Sequence, residues 1–165
     1  VEVGDSIASV FRKSNQTLRT ILAIEWKKRD TSLHFSNPEQ ALILASLIEK
    51  ETAYNAEKSK IAGVFMRRLV LGMRLQTDPS VIYALGKSYR GYLTRKDLRF
   101  NSPYNTYRNK GLPPTPIASV GMTSLRAALH PASGNNLFFV AKKDGTHAFA
   151  KTYDEHKRNI KKYLK

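Results

Sequence analysis

The chain has 165 residues, and 28 Lys and Arg against 13 Asp and Glu give a formal net charge of +15. Its length suits one compact domain with a core of its own, and 41% hydrophobic with 10% aromatic residues exclude a wholly disordered polycation. With no cysteine, disulfide scaffolds, cysteine nucleophiles, thiolate zinc sites and iron–sulfur clusters are excluded. No apolar run approaches the roughly 18 residues of a membrane span. Residues 1–5 lack the basic start and apolar core of a signal peptide, so the expectation is a fragment of a longer protein.

The first predicted element is a helix over about residues 5–29, with Ile7, Phe11, Leu18 and Leu22 at helical spacing and Asp5 or Ser6 as its cap. After a polar break, Asn37, Pro38 and Gln40 announce a second helix running to about Thr52. Its stretch 41–48 is apolar nearly all round, the mark of a buried central helix. A third helix spans about residues 56–71 and ends at Gly72. Asp78 and Pro79 open a short fourth helix. Residues 86–120, rich in Gly, Pro, Asn and Tyr, read as irregular loop with a turn of helix near Lys96. A short helix over 124–129 follows. Segments 137–141 and 147–150 flank Asp144-Gly145 as a β-hairpin. A last amphipathic helix carries Tyr153, Ile160 and Tyr163. The fold class is α+β, a mostly helical domain with a small hairpin sheet and one long Tyr/Asn/Pro-rich loop.

Charge does not choose a partner. Nucleic acid, anionic lipid and acidic polysaccharide all match +15. The cations are scattered, and the one dense stretch, five in the nine residues 157–165, suits the negative end of a terminal helix.

Two features depart from the ordinary. The long loop holds Tyr89, Tyr92, Tyr104 and Tyr107 beside Asn101 and Asn105, a composition suited to sugar rings or nucleobases as well as to pinning the loop on the core. Glu51 lies roughly 20° from Leu44 on the helical wheel, against roughly 140° for Glu49. A carboxyl on that apolar stripe is desolvated, which favours a protonated general acid. Pairing with Arg67, Arg68 or Arg74 is the alternative, and structural ion pairs occupy such positions more often than acids do. Asp78 is a candidate second carboxylate, though its place before Pro79 favours a helix cap. Four histidines show no metal spacing, Ser46 and Ser80 sit in no nucleophile elbow, and no phosphate-binding glycine loop is present. No metal or other cofactor is expected.

Segments 44–52 (LASLIEKET), 64–86 (VFMRRLVLGMRLQTDPSVIYALG), 102–119 (SPYNTYRNKGLPPTPIAS) and 129–150 (LHPASGNNLFFVAKKDGTHAFA) together resemble the YceG-like family of endolytic murein transglycosylases. The resemblance implies a peptidoglycan lytic transglycosylase with lysozyme-like active-site logic. Such an enzyme cuts the bond between N-acetylmuramic acid and N-acetylglucosamine and leaves a 1,6-anhydro end. It places the family's catalytic glutamate on Glu51, the residue that the helical wheel turned inward. It also implies glycan contacts for Gln76, Thr77 and Asp78 and for Tyr104, Asn105 and Tyr107, with Glu49 as a supporting neighbour. Arg67 stands where the family commonly has Asn; Thr115-Pro116-Ile117 and Val120 also depart from its pattern.

On this reading residues 1–36 are a helix and linker leading into a catalytic unit over 37–165. The partners are peptidoglycan strands and peptidoglycan synthases, with no nucleic acid. The whole protein is anchored in the cytoplasmic membrane by an N-terminal transmembrane helix, with its catalytic part on the periplasmic side. Two other readings stay open: a basic nucleic-acid-binding module whose tyrosines stack on bases, and a peptidoglycan-binding module without catalysis.

Overall fold

The computed structural model describes residues 7–164, so the caps expected at Asp5 and Ser6 lie outside the described residues. Helix α1 (Ile7–Lys27) meets the core through its second half. There Leu22 is buried, and Arg126 of α5 (Met122–Leu129) donates both Nε and Nη2 to the carboxylate of Glu25, at 3.2 and 3.1 Å. The segment before residue 37 thus packs on α2 (Pro38–Glu51) and α5.

Helix α2 (Pro38–Glu51) starts where its local signals put it. The Asn37 carboxamide accepts the Gln40 N–H at 3.1 Å, and the Gln40 carboxamide reaches back to the Ser36 N–H at 2.7 Å. Ala41, Leu44, Ala45, Leu47 and Ile48 are fully enclosed, because α1, α3 (Asn55–Val70), α4 (Asp78–Leu85) and α5 all pack around this helix. Buried Ser46 donates to the Ile43 carbonyl and accepts the Ile117 N–H, at 2.7 and 3.0 Å, which ties the end of the long loop to α2.

Helix α3 (Asn55–Val70) brings Ile61 and Phe65 to the same core, and Gly72, at φ +64°, ends the segment in the left-handed region. Gly63 lies against the backbone that follows α5 (Met122–Leu129): a Cβ there would stand 2.3 Å from the Ala132 carbonyl oxygen. Gly63→Ala should therefore destabilise the fold by about 1–3 kcal/mol despite the better helix propensity of alanine, a loss that thermal denaturation would read.

Between them, α4 (Asp78–Leu85) leads into single 3-10 turns at Gly86–Ser88 and Asp97–Arg99 and then irregular chain. Strands β1 (Phe138–Ala141) and β2 (His147–Ala150) pair antiparallel, Phe138 opposite Ala150 and Ala141 opposite His147. Thr152 and Glu155 form a capping box at the start of α6 (Tyr153–Tyr163), which packs on both strands. The architecture is α+β, as expected. No helix among the described residues is long and apolar enough to cross a membrane.

Candidate active site

Glu51 is the last residue of α2, and α2 is fixed on all sides, so its side chain is held at a defined point. Thr77 Oγ1 donates to Glu51 Oε2 at 2.7 Å. None of the three arginines considered as partners supplies a counter-charge. Arg67 donates to the carbonyls of Asn136 and Ala132, Arg68 to those of Leu137, Arg74 and Leu75, and Arg74 is exposed. Burial holds the Glu51 carboxyl above the ordinary carboxylate range; the Thr77 hydroxyl opposes this, the Asp78 charge adds to it, and His147 opposes it. A place at the negative end of the α2 dipole works in the same direction as burial. The inward turn read from the helical wheel is thus a desolvated carboxyl, and the ion-pair alternative is not what forms.

The partners of Glu51 come from a turn under strain. Gln76 sits at φ +52°, a conformation that costs a non-glycine residue about 1–2 kcal/mol. Non-local hydrogen bonds enforce it: Gln76 N–H donates to the Thr106 carbonyl at 3.2 Å and Thr77 N–H to Thr106 Oγ1 at 3.0 Å. Ser80 Oγ donates to the Thr77 carbonyl at 2.8 Å, closing a buried cluster. The bend sends Leu75 and Thr77 inward while Gln76 and Asp78 stay exposed.

Asp78 is not the helix cap that its place before Pro79 suggested. Thr77 holds the N-cap position without a side-chain bond, and Asp78 Oδ1 instead accepts the Tyr107 hydroxyl at 2.5 Å. Burial, reinforced by this bond, raises the Tyr107 pKa far above its ordinary value, so the phenol is a fixed donor.

A cleft of ≈ 410 Å³ collects Glu51, Gln76, Asp78 and Tyr107 on one side, and Phe138, Tyr153 and His156 of the hairpin and α6 on the other. Arg68, also in the lining, donates to the carbonyls of Leu137 before β1 and of Leu75, joining the two sides.

The remaining expected residues go elsewhere. Asn105 is fully buried: its amide donates to the Leu98 and Phe100 carbonyls at 3.1 and 2.8 Å and its oxygen accepts the Tyr107 N–H at 2.9 Å. Expected at the groove, it is committed to holding the loop that carries Tyr107. Tyr104 lies against Tyr83, ring centroids 4.8 Å apart, with its hydroxyl on Thr115, and does not line the cleft. Glu49 accepts from the Ser124 hydroxyl and the Gly121 N–H and pairs with Lys58 at 3.6 Å. Burial works against its ionisation, but these donors outweigh it and hold its pKa below the usual value. Glu49 does not line the cleft and sits as an anion at the N-terminus of α5.

Two histidines were not singled out from the sequence. His147 is buried with Nδ1 2.8 Å from Glu57 Oε2. His156 lines the cleft, stacked on Phe138 at 5.2 Å. Strand alternation, which sets His147 and Phe149 on one face, was the available signal for the first.

The chain is 44% identical over 160 residues to the endolytic murein transglycosylase of Bacillus subtilis, covering 97% of this chain and 42% of that protein. It is 34% identical over 130 residues to the endolytic murein transglycosylase of Streptococcus pneumoniae, covering 76% of this chain and 24% of that one. A solved YceG-like protein of Listeria monocytogenes superimposes with a TM-score of 0.68 at 47% identity, over 73% of this chain and 38% of its own. The chain therefore spans less than half the length of these relatives. The model of the YceG-like family matches residues 1–162, and the chain belongs to that family.

Proposed function

We propose that this chain is the catalytic part of a lytic transglycosylase that cleaves peptidoglycan glycan strands, with Glu51 as general acid and then general base. The observation that carries the reading is a desolvated carboxyl without a cationic partner, opening on a cleft beside a second carboxylate. Protonated Glu51 gives its proton to the glycosidic oxygen as the muramic C1–O bond breaks and C1 gains oxocarbenium character. The carboxylate left behind takes the proton of the muramic C6 hydroxyl while that oxygen closes on C1. One carboxyl serves both steps because the nucleophile belongs to the substrate and is already in place. Asp78, held by Tyr107, keeps negative charge near both Glu51 and the developing cation.

The placement of Asp78 in the cleft favours a second reading, hydrolysis through paired carboxylates. Mass spectrometry of uncrosslinked strands decides between them. Products ending in 1,6-anhydromuramic acid support the transglycosylase, and reducing ends, heavier by one water, support the hydrolase. Peptidoglycan lies beyond the cytoplasmic membrane, so on either reading the cleft works on its outer side, anchored by a segment outside this chain. Synthases that extend the strands are the partners to test there.

The pH dependence follows from the acid. Cleavage should fall as pH rises through the raised Glu51 pKa, and Asp78→Asn, by removing the charge that helps raise it, should move that limb to lower pH. Stability has the same sign. Between the ordinary carboxylate value of 4.5 and the raised folded value, the folded state binds the proton more tightly, so wild type loses stability as pH rises. Glu51→Gln should match wild type in denaturant titration at acid pH and exceed it at neutral pH.

A further inference from the structure

The half of the cleft formed by the hairpin and α6 contains a feature that proton transfer by Glu51 leaves unexplained. His156 Nδ1 is buried and has no hydrogen-bond partner. Native interiors rarely leave such an atom unpaired, since desolvating it without a partner costs free energy on every folding event. Burial and the nearby Arg68 charge push the His156 pKa down, so the ring is neutral and carries one donor and one acceptor nitrogen. Its plane is fixed by Phe138, 5.2 Å away and inclined by 23°, and Phe138 in turn lies under the Arg68 guanidinium at 5.0 Å. Tyr153 completes the group, its ring centroid 5.9 Å from that of Phe138. It is 60% exposed although it opens on the same cleft as Glu51.

An exposed aromatic face beside a stacked imidazole matches a ring with an apolar face and polar rim. A pyranose is such a ring: its axial C–H groups lie on an aromatic plane while its hydroxyl or acetamido hydrogens point outward. We infer that Tyr153, Phe138 and His156 form a saccharide subsite next to Glu51. An N-acetylhexosamine ring stacks there on Tyr153 and presents a polar substituent to the edge of the His156 imidazole that lines the cleft. This assignment rests on the reading of Glu51 as the acid of a glycan-cleaving site. It adds that the strand is gripped from α6, on the side of the cleft opposite Asp78 and Tyr107.

The test uses Tyr153→Ala and His156→Phe; the second keeps a stacked ring and removes the nitrogen. Kinetics on uncrosslinked glycan strands would be paired with binding of the same strands in a Glu51→Gln background, where no cleavage interferes. Each variant should raise KM, and weaken binding to the Glu51→Gln protein, by roughly tenfold, with kcat held within about twofold. His156→Gln, which restores a hydrogen-bonding group, should recover part of that loss. Unchanged KM and unchanged binding would overturn the subsite and leave the acid untouched. A fall in kcat at constant KM would also overturn it, because that marks disturbed surroundings of Glu51 rather than a lost grip. Cleavage that survives Glu51→Gln would instead overturn the reading on which the subsite rests.

Discussion

Glu51→Gln is expected to lower the rate of glycan cleavage by about a thousandfold or more at the optimal pH, with substrate affinity preserved. General acid–base participation contributes roughly 10²–10⁴-fold, and in the proposed mechanism one group supplies both steps. Glutamine keeps the shape of the side chain and an oxygen to accept the Thr77 hydroxyl, so the cleft should persist. The loss should fall on kcat, as measured by anhydromuramic product release. An ordinary KM change with kcat intact would mean that Glu51 binds rather than reacts. Glu49→Gln, by contrast, acts on the α2–α5 junction through Ser124, Gly121 and Lys58 and should weaken stability before it touches chemistry.

The second large effect is structural. Arg68 is 7% exposed and donates to the Leu137 carbonyl at 2.7 Å and to those of Arg74 and Leu75 at 3.1 and 2.9 Å. Arg68→Met fills much of the same space but strands three backbone carbonyls. A cost of about 3 kcal/mol follows from leaving buried acceptors unpaired, or roughly 6–12 °C in melting temperature for a chain of this size. Arg68→Lys should recover only part of it, since a single ammonium cannot span a fork of acceptors. Cleavage should decline in both, because the carbonyls joined by Arg68 belong to opposite sides of the cleft.

The parts of this fold that were readable from sequence are those determined locally. Asn37-Pro38 and Gln40 start α2 through contacts within four residues, Gly72 ends α3 by its own backbone freedom, and Asp144-Gly145 turns the hairpin. Glu51 was readable for a similar reason: its orientation follows from helical periodicity and an apolar stripe on a single helix. Where partners are distant in sequence, local rules misled. Asp78 has the signature of a cap, yet a tyrosine 29 positions away takes its carboxylate. Asn105 has the chemistry of a glycan contact, yet its carbonyl acceptors close the loop from within. Gln76 shows no glycine-like signal at all, because its left-handed backbone is imposed by Thr106. His156 gains meaning only once α6 docks on Phe138.

That docking bears on the order in which the protein is made. Glu51 lies in the first third of the sequence, whereas the far side of its cleft is supplied by residues 138–164. A ribosome releases the acid long before it releases the aromatic wall that helps to shield it. A nascent chain halted near residue 135 would carry Glu51 in wetter surroundings, with a carboxyl closer to ordinary acidity and only one side of the cleft in place.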